Sequence, residues 1–259
     1  QDAVAGKNLK HKVESSYSLS IDYVGFNTAE GVFKSKEVRE AFYFAVDPSE
    51  LIEKYIGGDG YPPYNGFVPE IEGANNTIQI PTSNPEKARK LLAQAGFPNG
   101  KDFPATTIYV NGVEGSKNHA LMQGFVNVIK RELNVNLTIK LCSLTEREAA
   151  INSGEANIWR SGWVADYPSP VTFLDLFYSG SKQSNKFRYN NEVFNSNLQM
   201  ALVEKDPRKR GFHFIKAQSE IIEDAVVIPL FMNNMLIMVN ARVKGITANQ
   251  LEEVNFKEV

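Results

Sequence analysis

Cysteine is almost missing from this chain, which has one thiol, Cys142, in 259 residues. A single thiol closes no internal disulfide and builds no multi-cysteine metal site. In "LTIKLCSLT" the apolar alternation predicts Cys142 as a buried strand residue. Long apolar runs are missing as well. Stretches such as "AVVIPLFM" stop well short of the ~18 residues a membrane-spanning helix needs, and the opening "QDAVAGKNLKHKVESS" has no signal-peptide core. Neither sign of charge is in excess: 28 Lys+Arg against 30 Asp+Glu give a formal net charge of -2, so bulk charge points to no nucleic acid and no anionic membrane. Histidine is scarce, and His11, His119 and His213 are far apart in sequence. The last two lie in helical patterns among apolar neighbours, where a structural or solvent-facing role is expected. We expect no metal and no cofactor.

What is present is an ordinary globular make-up, 42% hydrophobic and 22% charged, in a chain long enough for one large domain or two modest ones. Strand and helix patterns alternate along it. "SLSIDYVGFNT" has strand composition, and in "SKEVREAFYFAV" Val38, Ala41, Phe42 and Ala45 share one helical face, with Ser35 at its start. Asp47 caps a second helix with Pro48 at its first position. Asn84 and Pro85 open a third, striped by Ala88, Leu91, Leu92 and Ala95 and stopped by Gly96. "ATTIYVNG" and "VNLTIKLCSL" read as strands around a long amphipathic helix over 116–133. A short helix, "TEREAAINSG", and a strand, "ANIWRSGWV", follow. Two helices then meet at Asp206-Pro207, and "VVIPLFMNNMLIMVN" reads as a strand pair around an Asn-Asn turn. This order argues α/β.

Chemical motifs are few. "GGDGYPPYNG" falls short of a dinucleotide fingerprint, because Pro63 replaces the last glycine and the loop follows a helix. It reads as a loop near the rim of a cleft. No nucleophile elbow, zinc-protease helix or phosphate loop occurs, and the carboxylate pairs Glu252-Glu253 and Glu223-Asp224 read as solvated ends. The unusual stretch is "RSGWVADYPSPVTFLDLF", residues 160–177, where an arginine, a tryptophan, an aspartate and a tyrosine fall within eight residues. Taken alone, Asp166 before Tyr-Pro suits a turn residue, Trp163 a core aromatic, and Arg160 a surface ion pair. Tyr167 and Phe173 read as packing residues.

Four segments change the weighing. "YVGFNTAEGVFKSKEVREAFYFAVDPSELI", "NPEKARKLLAQAGFPNGKDFP", "WRSGWVADYPSPVTFLDLF" and "VVIPLFMNNMLIMVNARVKGI" stand in the same order as in one known family. The chain thereby resembles the C-terminal half of the periplasmic oligopeptide- and dipeptide-binding proteins of ABC importers, the family-5 extracellular solute-binding proteins. The likeness runs from about Asp22 to about Gly245.

The resemblance implies a type II periplasmic-binding-protein-like lobe, α/β with a mixed sheet flanked by helices, and no enzyme. It divides the chain into a lead-in over 1–21, a ligand-binding lobe over 22–235, and a return strand and tail over 236–259. Gln1 then lies inside a longer parent that supplies the other lobe. It places Asp166 on the α-ammonium of a peptide, beside Trp163, Tyr167 and the backbone of Gly162, Val164 and Ala165. It sets Arg160 toward the ligand's carboxylate, while Ile151 stands where some relatives have a second arginine. The implied partners are a peptide or other small solute and ABC permease subunits, on a monomer outside the cytoplasm whose membrane contact is a lipid anchor of the parent. A glycoside- or peptide-cleaving enzyme and a surface adhesin built on the same lobe are the alternatives.

Overall fold

The computed structural model describes residues 11–57, 60–63, 65–71, 78, 80–251 and 253–255. Its elements are β1 (His11–Tyr17), β2 (Ser20–Phe26), α1 (Lys36–Ala45), α2 (Pro48–Tyr55), α3 (Pro85–Gln94), β3 (Thr106–Asn111), α4 (Lys117–Leu133), β4 (Leu137–Cys142), α5 (Leu144–Ser153), β5 (Ile158–Val164), α6 (Val171–Leu174), α7 (Glu192–Val203), α8 (Pro207–Glu223), β6 (Val227–Phe231), β7 (Asn234–Asn240), β8 (Thr247–Ala248) and β9 (Val254–Asn255). The long helices begin on short polar side chains that satisfy otherwise unpaired backbone N–H groups. Ser35 accepts from Val38 N, Asn84 from Lys87 N, Asn191 from Phe194 N, and Asp206 from Arg208 N and Lys209 N.

Five strands form a mixed sheet in the order β4-β3-β5-β2-β6. β3 runs parallel to β4 and β5, whereas β2 is antiparallel to both its neighbours. All seven residues of β2 are buried, as a strand paired on both edges and covered on both faces requires. Gly25 marks the tightest approach: a Cβ there would stand 2.7 Å from Phe187 and 3.0 Å from Trp159. Those two rings continue into a stack with Phe177, whose centroid lies 4.5 Å from that of Phe187. Phe26 of β2, Phe33 and Phe42 of α1 make a second aromatic cluster. Arg39 is buried among carbonyls, donating to Phe33 O (2.8 Å), Lys34 O (3.1 Å) and Asp224 O (2.8 Å).

The structure departs from the sequence reading in five places. β6 and β7 do not pair with each other; β7 pairs with β1 from Tyr17↔Asn234 to His11↔Asn240, so Met232-Asn233 is a bend where the chain passes from one sheet to the other. β1 itself was hidden in a polar segment, because a two-stranded ribbon needs no apolar face to signal it. α5 begins earlier than its pattern, since Ser143 and Glu146 form a reciprocal capping box. Cys142 sits half-buried at the end of β4, its thiol 3.7 Å from Val110 O, with burial pushing its pKa up. Asp224 is no solvated end: it accepts from Tyr189 Oη (2.7 Å), Asn191 Nδ2 (3.0 Å) and Lys36 Nζ (2.9 Å). Glu252 and three residues of "GGDGYPPYNG" (58, 59 and 64) lie outside the described residues, while Tyr61 of that loop exchanges backbone hydrogen bonds with Met232.

One surface link ties α2 to α4. Arg131 grips Glu50 with two nitrogens at 2.9 and 3.0 Å, and Lys54 adds a third bond at 2.9 Å. The Arg131 and Lys54 hydrogen bonds hold the Glu50 carboxyl down at about 2, below its usual 4.5. A depressed folded-state pKa stabilises the fold above pH 4.5, and that contribution is lost as the pH falls toward 2. We predict that Glu50→Gln flattens the acid limb of stability across this window. At neutral pH it should cost about 1 kcal/mol or less, since solvent screens the pair. Urea unfolding at pH 2.5, 4.5 and 7 checks both; an unchanged acid limb would contradict the assignment.

Candidate ligand-binding site

β5 carries the segment singled out in the sequence, and its neighbours make it asymmetric. Along β2 it is paired for its whole length, from Phe26↔Ile158 to Ser20↔Val164. On the other side its pairing with β3 covers only Ile158 and Trp159. Arg160 to Val164 therefore continue past the end of β3 with a strand partner on one side. Gly162 and Val164 are exposed and Trp163 is half-buried. A stretch of extended backbone with one open edge is what an added strand pairs with.

Beyond β5 the chain turns through "ADYPSP". Ala165 is buried and donates its N–H to Leu19 O at 2.8 Å, which anchors the turn. Asp166 and Tyr167 are exposed, Tyr167 by 47%, so Tyr167 packs less than its aromatic character suggested, whereas Phe173 is wholly buried. The buried hydroxyl of Thr172, in α6, organises the turn. It accepts from Trp163 Nε1 (3.2 Å) and from Asp166 N (3.4 Å), and donates to Asp166 Oδ2 (3.3 Å). One small side chain thus orients both the indole and the carboxylate. Asp166 is held by this local bond as a turn residue would be, and it also presents a negative charge to solvent beside the open edge.

Arg160 lies among different partners. Its guanidinium contacts Asp22 of β2, and Nη1 is 3.4 Å from Asn111 Oδ1. Burial pushes its pKa down to about 10, still well above neutrality, so it remains a cation at neutral pH. Asn111 Oδ1 also accepts from Arg147 Nη1 at 2.8 Å; Arg147 reaches Arg160 O at 3.0 Å and pairs with Glu148 at 2.7 Å. Ile151 is buried, and Arg147 stands one turn before it on α5. Arg160 is therefore paired with an acid, and that pair lies inside the sheet and not at the surface.

Sequence reasoning passed over Asp22, Asn111, Arg147 and Thr172. A signal existed for Asp22, an acid in the otherwise apolar "SIDYVGF", because a carboxylate in a buried strand requires a cation or several donors. Thr172 carried none. A half-open cavity of about 420 Å³ between β4 and α5, lined by Tyr109, Lys140, Cys142 and Glu155 among others, includes none of the residues of the 160–167 segment.

A five-stranded mixed sheet with helices around it, left by two adjacent chain segments as a ribbon, defines the periplasmic-binding-protein-like α/β fold. Residues 1–185 match the family described as bacterial extracellular solute-binding proteins, family 5 Middle, and the chain belongs to that family. Heme-binding protein A of Haemophilus influenzae is 29% identical over 88% of this chain and 42% of its own length. The periplasmic murein peptide-binding protein MppA of Escherichia coli is 25% identical over 96% of the chain and 47% of its own. The Helicobacter pylori periplasmic binding protein DppA, solved in complex with the peptide STSA, superposes with a TM-score of 0.80 at 25% identity, over 96% of this chain and 49% of that one. The chain spans about half the length of the curated relatives it matches.

The Thr172 geometry gives a direct test. Thr172→Val keeps the shape but removes the hydroxyl, leaving the half-buried indole N–H without its acceptor. We predict a loss of about 1–2 kcal/mol in urea unfolding, with a shift in tryptophan emission as Trp163 loses its orientation. An unshifted spectrum and unchanged stability would show that Thr172 does not hold Trp163.

Proposed function

We propose that this chain forms one wall of the ligand cleft of an extracytoplasmic solute-binding protein that delivers peptides to an ABC importer. The carrying observation is the edge of β5 that has no strand partner past Arg160, over Ser161–Val164, which ends beside the exposed carboxylate of Asp166. An extended peptide laid along that edge gains main-chain hydrogen bonds without any side chain being read, and its α-ammonium meets Asp166 in a charge-assisted bond. Trp163, with the backbone of Gly162, Val164 and Ala165, lines the same path, and Tyr167 flanks its end. Relatives named for haem and for peptides share the family, so membership leaves the ligand open and the charge of the site favours a cationic terminus.

In this reading the ribbon of β1 and β7 connects the wall to a second lobe, and closure between the lobes takes Asp166 out of water. The wall by itself leaves that carboxylate solvated, where an ion pair contributes ~0–1 kcal/mol, so the chain alone binds peptides weakly or not at all. The protein works as a monomer, held at the membrane surface by a lipid anchor and meeting its permease there. Among the described residues no helix is long and apolar enough to cross a membrane.

The test uses a protein with both walls of the cleft. Asp166→Asn keeps the shape but removes the charge opposite a desolvated ammonium, a loss of ~3–5 kcal/mol or roughly two to three and a half orders of magnitude in affinity. Acetylating the peptide's N-terminus should cost a comparable amount in the wild type and little more in the variant, because both changes delete one interaction. Trp163→Phe keeps an aromatic wall and should cost less. Calorimetry on free and acetylated peptides decides: simply additive losses would mean that Asp166 does not contact the amine.

A further inference from the structure

Among the described residues, Asp22 is the only buried carboxylate. It sits in the middle of the sheet because each of its oxygens has a donor. Oδ1 takes the Arg160 guanidinium, and Oδ2 accepts from Asn233 Nδ2 at 3.2 Å. With Asn111 bridging Arg160 to Arg147, and Glu148 on Arg147, two cations and two anions close into a neutral set. The charge of Arg160 is thus balanced from within the chain.

The position of the pair bears on ligand choice. Asp22 lies directly across from Gly162, the exposed residue in the middle of the open stretch of β5. Gly162 offers no side chain to cover it; a Cβ there would stand 3.4 Å from Asp22 Oδ2. A group settling over Gly162 therefore comes within reach of Asp22 Oδ2. A ligand carboxylate at that point would face Asp22 Oδ2, and to pair with Arg160 it would have to compete with a buried carboxylate for its cation. An N–H or an ammonium meets neither obstacle.

We propose that Asp22 is a specificity-determining residue: as a built-in counter-ion for Arg160, it makes the wall at Gly162 refuse a ligand carboxylate, so that peptides are held by main chain and cationic end. This rests on the peptide-binding reading above and adds to it a rule for the opposite end of the ligand.

The experiment compares one peptide as free acid and as C-terminal amide, by calorimetry, in a protein with both walls. The quantity read is the affinity ratio of acid to amide relative to wild type, in which any carboxylate site elsewhere in the cleft cancels. Asp22→Asn releases Arg160 and should raise the ratio about tenfold or more. The double variant Asp22→Asn/Arg160→Gln removes both charges and should return the ratio to within about threefold of wild type. An unchanged ratio in Asp22→Asn overturns the proposal. Should that variant leave too costly a buried cation to fold, the double variant decides alone: a ratio within about threefold of wild type supports the proposal, and any larger fall shows that Arg160 already reads the carboxylate in the wild type and overturns it. If the wild type binds neither form, the peptide reading fails and this inference with it. If it binds both and only the ratios disagree, the peptide reading stands and the role of Asp22 does not.

Discussion

β2 is gripped on both edges, antiparallel to β5 on one side and to β6 on the other, and the rest of the lobe is arranged around that clasp. Its seven buried residues leave no exposed face, so its position admits no register slip without forcing Asp22 against apolar neighbours. The register in turn fixes what lies across from it. Gly25 falls against the rings of Trp159 and Phe187, and Asp22 falls opposite Gly162 and diagonal to Arg160. The same clasp makes two chain segments leave the sheet together. β1 runs into β2 and β6 runs out into β7, with Ser18 N donating to Asn233 O between them (3.2 Å). In the proposed two-lobe protein this ribbon is the connector between the lobes.

The two charges of the site differ in kind. Arg160 is half-buried and paired with Asp22, and it contributes to the shape and polarity of the wall more than to its net charge. Asp166 is exposed and held at one oxygen by Thr172. A carboxylate fixed in orientation yet solvated is ready to exchange water for a ligand donor when a cleft closes, because its rotamer is already chosen. In the proposed function the open edge of β5 next to it reads backbone, which is common to every peptide, and selectivity then has to come from the ends of the ligand.

The sequence by itself determined the elements and the family. Helix starts were legible in Ser35, Asp47, Asn84 and Asp206 because capping is a local matter of one side chain and two or three N–H groups. The 160–167 segment stood out in the sequence because its residue types are improbable together in a core. Only the tertiary structure decided who meets whom. β1 was unreadable because its partner β7 lies more than two hundred residues away. Thr172 is one ordinary hydroxyl until α6 folds it under Trp163. The pairing of Asp22 with Arg160 spans 138 residues and exists because two strands lie antiparallel in one register. Propensity and periodicity are properties of neighbours in the chain, whereas the charge balance of this wall belongs to neighbours in the sheet.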